Sequence, residues 1–339
     1  MKISIIGVSG HGYTAVEGVG QNPAMAGEIV SIAPGSPGES ISGFLSWVER
    51  AGHKPLLFDD WQQMLMQCQP DIVVVNPHFN DHEAISLAVI AQGRHLFSEK
   101  PLALSLAGLE RIKKAYLSSN VELSAMLNMR YEPAMRAAWH AIRSGIIGDV
   151  RSLHVQKSYK LGVRPEFYKN RATFGGLIPW VGCHGVDMIA FLSGKQFLGV
   201  SAVSSSKANR DHGDLETSAS MLFRLSEEVI ATAQIDYFRP ESASGHDDDR
   251  ARVVGTKGIV EVRDGQCFLL GGAPEQNNGQ KVAPVLELAP VYSASLFADF
   301  MGQCAGVGRC DVTAEDALEN TRISLIVRDS ADTGQQYQL

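Results

Sequence analysis

Residues 1–12 read MKISIIGVSGHG, a short apolar run followed by a turn rich in glycine. The β-branched run from Lys2 to Ile6 favours a buried strand, and the residues from Tyr13 to about Asn22 favour a helix. Glycines before a helix let backbone N–H groups approach an anion, and the helix dipole favours negative charge there. The stretch therefore predicts the strand, tight turn and helix that open a dinucleotide-binding domain.

The turn matches the spacing GxGxxG imperfectly. Gly7 and Gly12 fill the first and third positions, whereas Ser9 stands at the second with Gly10 beside it. Serine is small enough to let the backbone approach a pyrophosphate. A glycine-rich turn that only packs tightly is the competing interpretation, and the strand and helix around the turn favour a binding site.

Strands alternate with helices over the first 125 residues. The clearest strand, DIVVVN at 71–76, is apolar on both faces, as a strand covered by helices on each side should be. A strand at 95–98, a helix at 105–118 and a strand at 121–126 follow. This order predicts an α/β domain with a doubly wound parallel sheet over residues 1–125.

After about residue 150, most strand candidates follow one another with only turns between them. In 218–225 and 229–235, apolar and small polar residues alternate, as in a sheet with two different faces. One helix, 184–193, interrupts the series, and helices return near the C-terminus. We predict a second α/β domain with a large, mostly antiparallel sheet over residues 126–339.

The composition is that of an ordinary globular protein of 339 residues, with 45% hydrophobic residues and a net charge of -7. No block of lysines and arginines offers a footprint for nucleic acid or an anionic membrane, so we expect a small-molecule partner and neither of those two. No secretion signal is visible before the first strand, which favours a cytoplasmic protein. Five cysteines form no CxxC pair, which favours reduced thiols.

The tripeptide Glu99-Lys100-Pro101 follows a predicted strand, at the edge where parallel sheets bind ligands. A lysine there can hydrogen-bond a substrate hydroxyl and, if desolvation lowers its pKa, share in proton transfer. The competing interpretation is a solvated surface lysine. The proline restrains Lys100 to extended geometry, which favours a fixed position.

A second candidate group lies around residue 184. His184 stands before an apolar helix, and Asp187 lies on the same helical face, where it could orient the ring. Histidine has the proton affinity that a reversible alcohol-ketone reaction needs near neutral pH. A helix-capping histidine is the competing interpretation. We expect no metal, because His78 and His82 have no carboxylate or cysteine at ligand spacing.

A second β-branched run, residues 28–32, predicts the next strand, and its end lacks the acid with which many NAD-binding proteins hold the adenosine ribose. Ala33, Pro34, Gly35 and Ser36 stand there instead. Without a carboxylate a 2'-phosphate is not repelled, yet no Arg or Lys in that loop attracts one. The choice between NAD and NADP stays open.

Together these motifs resemble the Gfo/Idh/MocA family, named after glucose-fructose oxidoreductase, inositol dehydrogenase and a rhizopine-catabolism protein. Each motif alone is weak, but their order and spacing over nearly the whole chain are specific. In order they are Gly7–Gly12, Asn76-Pro77 with His82, Glu99-Lys100-Pro101, Arg130-Tyr131-Glu132-Pro133, Ser144–Gly148, Gly175-Gly176 with His184 and Asp187, Gly255–Gly258, Thr321-Arg322 and Ala331–Gly334.

The resemblance implies a Rossmann domain followed by an α/β domain whose sheet mediates a homo-oligomer, a dimer or tetramer. It also implies an NAD(P)-dependent oxidoreductase that moves a hydride to or from a secondary alcohol or ketone of a sugar, polyol or inositol. Lys100 would contact the nicotinamide and the reacting hydroxyl, His184 would be the general acid-base, and the bond before Pro101 is often cis. The alternative is a dinucleotide- and sugar-binding regulator without turnover, and a further one is reduction of a diol or pyrrole pigment.

The predicted contacts combine the motifs with the resemblance. The expected catalytic residues are Lys100 and His184. The expected cofactor contacts are Gly7, Ser9, Gly10, His11, Gly12, Ala33, Ser36, Asn76, His82, Glu99, Lys100 and Pro101. The expected substrate contacts are Lys100, Arg130, Tyr168, Arg171, Trp180, Asp187 and His184, and the loops 161–173 and 238–249 add Lys169 and His246. The run His246–Arg250 is expected to be a solvated loop before a strand.

Trp180 departs from the family pattern. Many dehydrogenases of the family carry Asp four residues before the catalytic histidine, and tryptophan cannot accept a proton. Either Trp180 stacks on the substrate or nicotinamide and the site uses Lys100 and His184 alone, or the proton relay is impaired. We therefore expect a Lys-His pair rather than a complete Lys-Asp-His set.

Overall fold

The computed structural model describes residues 1–21, 25–271 and 295–339. Its chain divides into two compact units, each with its own sheet. The first unit consists of Met1–Asn128, Ala172–Gly175 and Ser293–Arg322, and the second of Met129–Arg171, Gly176–Tyr292 and Ile323–Leu339.

The first unit contains a six-stranded sheet in which every pair of neighbours is parallel. Its strands are β1 (Lys2–Ile6), β2 (Glu28–Ala33), β3 (Leu56–Leu57), β4 (Ile72–Val75), β5 (His95–Ser98) and β6 (Leu123–Ala125). The order β3-β2-β1-β4-β5-β6 reverses direction beside β1, which confirms the predicted doubly wound sheet. All four residues of β4 are buried, as its continuous apolar run requires.

Helices pack around this sheet. They are α1 (Tyr13–Gln21), α2 (Ser42–Arg50), α3 (Trp61–Cys68), α4 (His82–Ala91), α5 (Leu106–Leu117), α9 (Ser295–Cys304) and the first part of α10 (Ala314–Thr333). The ring centres of Phe297 and Phe300 on α9 lie 4.9 and 5.3 Å from that of Phe97 on β5. Because this apolar face of α9 is buried in the first unit, the compact units differ from the contiguous domains 1–125 and 126–339 expected from the sequence.

The second unit contains an eight-stranded sheet of order β13-β12-β11-β7-β10-β9-β8-β14. Its strands are β7 (Val150–Tyr159), β8 (Phe197–Ser205), β9 (Ser218–Leu225), β10 (Ile230–Asp236), β11 (Asp247–Gly255), β12 (Gly258–Arg263), β13 (Gln266–Gly271) and β14 (Tyr337–Gln338). Among the described strands of this sheet, only β7 and β10 pair in parallel, so the predicted mostly antiparallel sheet is confirmed.

The expected solvated loop at Asp247–Arg250 is wrong, because these residues form the first half of β11. They pair with β7, which places Asp249 opposite Lys157. The two side chains form an ion pair, and the Lys157 side chain is 4% exposed. A buried counter-charge on the neighbouring strand thus stabilises an acidic sequence in a sheet.

The helices of the second unit are α6 (Pro133–Arg143), α8 (Cys183–Ser193) and the last part of α10, and the short α7 (Arg171–Phe174) begins at its boundary. Helix α8 packs against β10 so closely that a Cβ on Gly185 would lie 3.2 Å from Ala233. On the other face of the sheet, Leu222 and Ile230 are 49% and 54% exposed.

The burial of the most apolar helical stretch and the bonding of the cysteines bear on the class of the protein. Residues 171–193 form a helical stretch long and apolar enough for a membrane span, but 89% of its apolar window is buried, as in the core helix of a soluble protein. None of the five cysteines, all of which lie within the described ranges, forms a disulfide, as expected for reduced thiols.

Candidate functional site

The turn between β1 and α1 requires glycine. Gly7 has φ +79°, and a Cβ there would overlap the backbone of Pro77. Gly10 has φ +108°, and a Cβ there would overlap the Glu99 carboxylate. A Cβ on Gly12 would lie 3.1 Å from Nδ2 of Asn76. Side chains are thus excluded at Gly7 and Gly10, and Gly12 has little space for one, so the turn packs tightly against Asn76, Pro77 and Glu99.

Polar groups around the turn fit a dinucleotide. The N–H of Ser9 donates to the Asn76 carbonyl at 2.7 Å and so fixes the turn against β4. Both amide atoms of the buried Asn76 side chain lack a partner within the described residues. A dinucleotide phosphate or the nicotinamide carboxamide would supply one, and the turn leads into the N-terminus of α1, where backbone N–H groups and the helix dipole favour an anion.

Glu39 is a functional candidate that the sequence analysis missed. Its Oε1 accepts hydrogen bonds from the Val8 N–H at 2.8 Å and the Ser9 hydroxyl at 2.9 Å. Its Oε2 accepts from the N–H groups of Gly35 and Ser36 at 2.9 and 3.2 Å. The carboxylate therefore lies between the turn and the end of β2, where the sequence analysis predicts no acid. The sequence signal for Glu39 is its position directly after Pro37-Gly38, beyond Ala33–Ser36.

Ala33 and Ser36, both expected to contact the cofactor, hold this loop in place. The carbonyl oxygen of Ala33 accepts the N–H of Gly7 at 2.9 Å. The Ser36 hydroxyl donates to Asp81 at 2.6 Å and accepts from the His78 N–H at 2.8 Å. Ser36 is 6% exposed, so its hydroxyl is committed to the protein.

Glu99 and Lys100 are buried at the carboxyl end of β5, with Glu99 0% and Lys100 2% exposed. Oε2 of Glu99 accepts the N–H of His11 at 2.6 Å and lies 2.7 Å from its Nδ1, while Oε1 accepts the N–H of Lys100 at 2.9 Å. Burial opposes ionisation, but the His11 ring and the Lys100 ammonium outweigh it and lower the pKa of Glu99 to about 2. The solvated-lysine interpretation of Lys100 is therefore excluded.

His82 supports the tripeptide from behind. Its Nδ1 lies 2.7 Å from the carbonyl oxygen of Pro101, and its Nε2 lies 3.2 Å from that of Pro77. The ring is 0% exposed, and burial lowers the pKa of His82 although the Pro101 carbonyl opposes the shift. The bond between Lys100 and Pro101 is cis, as the resemblance implied. A neutral ring donates from one nitrogen only, and the shorter distance favours donation from Nδ1 to Pro101, so His82 is placed to position Pro101 rather than to contact a cofactor directly.

In the second unit, His184 follows a π-helical turn, Ile178–Gly182, and lies in the first turn of α8 with 3% exposure. Single π turns inside helices are frequent at functional sites. Asp187, expected to orient His184, accepts hydrogen bonds from Arg130, at 3.0 Å from Nε and 2.7 Å from Nη2. Arg130 and Asp187 are thus brought together as a buried bidentate pair.

Trp180 lies in the π turn and is 7% exposed. The ring of Tyr168, 5% exposed, meets it edge-on with 6.4 Å between ring centres. Two of the predicted substrate contacts, Tyr168 and Trp180, therefore lie together, and Trp180 is in the turn that leads to His184. Trp180 offers an aromatic surface where the resemblance implied a carboxylate.

Three further candidates have protein partners. Arg171 forms ion pairs with Glu216 and, at 2.7 Å, with Asp332. Exposed Lys169 pairs with Glu166 at 2.9 Å, and His246 stacks on Tyr159 with 5.2 Å between ring centres. A direct substrate contact by Arg171 would therefore compete with two carboxylates.

Within the ranges that the structure describes, no group of three or more His, Cys, Asp or Glu side chains could hold a metal ion.

Comparison with known proteins assigns most of the chain to two known domain families. Residues 1–126 match the oxidoreductase family with an NAD-binding Rossmann fold, and residues 135–261 match the Gfo/Idh/MocA C-terminal domain. Inositol 2-dehydrogenase of Burkholderia ambifaria is 26% identical over 238 residues, which span 68% of this chain and 66% of that enzyme. The chain thus spans just under two thirds of this curated relative.

Solved structures extend the likeness to the whole chain. Levoglucosan dehydrogenase in complex with NADH and L-sorbose shares the fold, with a TM-score of 0.84, 18% identity and coverage of 100% and 98% of the two chains. A Thermotoga maritima structure, described provisionally as an oxidoreductase, has a TM-score of 0.93 and 40% identity over 100% of both chains. Together with the two matched domains, this shows that the chain belongs to the Gfo/Idh/MocA family of NAD-binding oxidoreductases.

Proposed function

We propose that the protein is an NAD(P)-dependent dehydrogenase or reductase that acts on a CH–OH group of a sugar, polyol or inositol-like compound. The observation that carries this proposal is Lys100, a lysine 2% exposed at the carboxyl end of β5 and fixed beside Glu99. A buried ammonium at the ligand-binding edge of a parallel sheet is a strong donor for a substrate oxygen. The names of the relatives, inositol 2-dehydrogenase and levoglucosan dehydrogenase, support the substrate class.

The chain would contribute three things to the reaction. The turn Gly7–Gly12 would hold the pyrophosphate, and bound NAD(P) supplies the hydride acceptor or donor. In the oxidation direction, Lys100 donates a hydrogen bond to the substrate oxygen while His184 accepts the hydroxyl proton. In the reduction direction, His184 returns that proton and Lys100 stabilises the carbonyl oxygen as it gains negative charge.

The first experiment is a thermal-shift panel of NAD, NADP, NADH and NADPH, because a ligand that binds only the folded state raises its melting temperature. A sugar and polyol screen with the best dinucleotide, followed at the nicotinamide absorbance, then finds the substrate. Lys100→Ala and His184→Ala should each reduce kcat/KM by at least about 100-fold. The exposed positions Lys113→Ala and His140→Ala are the matched controls. Turnover by both site variants at the parent rate would refute the proposal.

The competing proposal is a regulator that binds dinucleotide and a sugar without turnover. Trp180 motivates it, because an aromatic ring replaces a carboxylate that many relatives use. The same screen separates the two: a substrate-dependent change in nicotinamide absorbance removes the regulator, whereas ligand-induced thermal shifts without any such change favour it.

For the cofactor we propose NAD over NADP. The Glu39 carboxylate, held beside the end of β2 by the N–H groups of Val8 and Gly35, places a negative charge where it would repel a 2'-phosphate. The Asp81 carboxylate, bonded to Ser36 in the same loop, adds to the repulsion. We expect NADH to bind at least about 10-fold more tightly than NADPH in a fluorescence titration, and a preference for NADPH would overturn this assignment.

We also propose that the protein forms a dimer or tetramer in the cytoplasm. The support is the exposed face of the eight-stranded sheet, on which Val203, Leu222 and Ile230 are 64%, 49% and 54% exposed. Light scattering should give a mass above that of one chain, and Leu222→Asp should lower it. A monomeric parent protein would refute the oligomer.

A further inference from the structure

Arg164 is a basic side chain of the second unit with no acidic partner among the described residues. It lies in the loop after β7, with its guanidinium carbon 4.3 Å from the ring centre of Tyr237 and 6.0 Å from that of Tyr168. Its Nη2 donates to the carbonyl oxygen of Lys160 at 3.1 Å, and its Nε is buried without a hydrogen-bond partner. A half-buried guanidinium with an unused donor is costly until an anion binds it.

Two neighbouring basic groups leave this positive charge largely uncompensated. The Lys160 ammonium donates to the backbone carbonyls of Glu241 and Ala243, which are neutral acceptors, at 3.0 and 2.6 Å. Burial lowers the pKa of His246, and Arg164 and Lys160 lower it further, with Asp247 as the opposing acid. Around the His246 ring, Arg164 and Lys160 therefore act with Lys157 against one exposed carboxylate, that of Asp247.

Aromatic rings connect Arg164 to the turn that carries His184. Tyr168, which Arg164 contacts, meets Trp180 edge-on, and Trp180 precedes α8 within the π turn. Burial raises the pKa of Tyr237 to about 12, although Arg164 and Trp180 lower it. The guanidinium, two tyrosine rings and Trp180 thus form one surface in the second unit, next to the proposed general acid-base.

We propose that Arg164 binds an anionic group of the substrate, so that the protein acts on a sugar or polyol that carries a carboxylate or phosphate. This inference rests on the proposed function and narrows its substrate class. The planar fork of a guanidinium matches two oxygens of either anion, and the neighbouring rings offer faces for the apolar side of a sugar. A neutral sugar would leave the Arg164 donors unpaired, which provides the discrimination.

The test measures binding by calorimetry on the full-length protein saturated with NADH. The probes are matched pairs that differ in the anionic group: D-glucuronate and D-glucose, D-gluconate and D-glucitol, and glucose 6-phosphate and glucose. At least one anionic member should bind about 10- to 100-fold more tightly than its neutral partner, and added salt should reduce this preference. Comparison of the carboxylates with the phosphate identifies which anion the site takes.

Variants then assign the preference to Arg164. Arg164→Met keeps the packing of the side chain and should abolish the preference, whereas Arg164→Lys keeps the charge and should retain part of it. Arg151→Met removes the same charge from an exposed position on β7 and should leave the preference unchanged. The proposal is overturned if each neutral sugar binds as tightly as its anionic partner, if no anionic sugar binds, or if Arg164→Met keeps the preference.

Failure of the Arg164 proposal and failure of the proposed function give different experimental results. Failure of the parent protein to bind NADH, or to transfer a hydride to any compound that it binds, refutes the enzyme. Even then, Arg164-dependent binding of an anionic sugar would support the Arg164 site. Conversely, turnover of a neutral polyol alone would support the enzyme and refute the Arg164 site.

Discussion

Replacing Glu99 with glutamine tests the contacts that fix Lys100 and the first turn. Each carboxylate oxygen accepts a backbone N–H, from His11 on one side and Lys100 on the other, at 2.6 and 2.9 Å. A glutamine amide has the same shape but carries an NH2 group on one side. In either orientation this group faces an N–H donor, so one hydrogen bond is lost and a donor is left buried.

The pKa of Glu99 gives the magnitude. Its fall from 4.5 to about 2 in the folded protein corresponds to about 3 kcal/mol of stabilisation at neutral pH, at ~1.4 kcal/mol per pKa unit. Since the folded pKa lies below the unfolded one, this stabilisation is complete above about pH 4.5 and is lost as the pH falls toward 2. We expect Glu99→Gln to lower the melting temperature by roughly 6–12 °C at neutral pH.

The assay is thermal unfolding of the parent protein and Glu99→Gln between neutral and acid pH. Glu110→Gln, which removes an exposed carboxylate from α5, is the control and should unfold with the parent. The gap between the parent and Glu99→Gln should narrow as the pH falls below 4.5, because protonation removes the same charge from the parent. A gap below about 2 °C at neutral pH, or one that does not change with pH, would refute the reasoning.

Three further substitutions probe other parts of the chain. Glu39→Gln should reduce the preference for NADH over NADPH by about 10-fold in fluorescence titrations, because the neutral amide no longer repels a 2'-phosphate; an unchanged ratio contradicts the role. Gly10→Ala should abolish NADH binding and lower the melting temperature, since its Cβ would overlap the Glu99 carboxylate at φ +108°. Asp187→Asn should reduce the free energy of unfolding by about 3–5 kcal/mol in urea, because it leaves the Arg130 guanidinium buried without its counter-charge; a loss below about 1 kcal/mol would argue against a buried pair.

Local sequence patterns predicted the elements whose burial does not depend on distant residues. The run at β4 is apolar on both faces, so only a strand inside a parallel sheet satisfies it. Lys100 could be placed at the ligand-binding edge because it directly follows β5. The helices α2 and α3 were missing from the prediction, although Asp60 caps α3 by accepting the Gln62 N–H at 2.8 Å.

Contacts between distant residues explain what the sequence did not reveal. The pairing of β11 depends on Lys157, 92 residues before Asp249, whose charge no local pattern can take into account. The loop after β2 brings Glu39 to the Gly7–Gly12 turn, and this loop is held by hydrogen bonds from the N–H groups of Gly35 and Ser36 to Glu39. The sequence analysis predicts that Arg130 and Asp187 contact the substrate. Only the fold reveals that these two side chains pair with each other.

The position of α9 also bears on the order in which the chain can fold during synthesis. Residues Ser293–Arg322 belong to the same compact unit as β1 to β6, and Phe297 and Phe300 cover Phe97 within it. The ribosome must therefore synthesise nearly the entire chain before the first unit can bury its hydrophobic core. Until then the nascent sheet exposes an aromatic surface that a chaperone would bind. A protein truncated after residue 125 would expose that surface permanently.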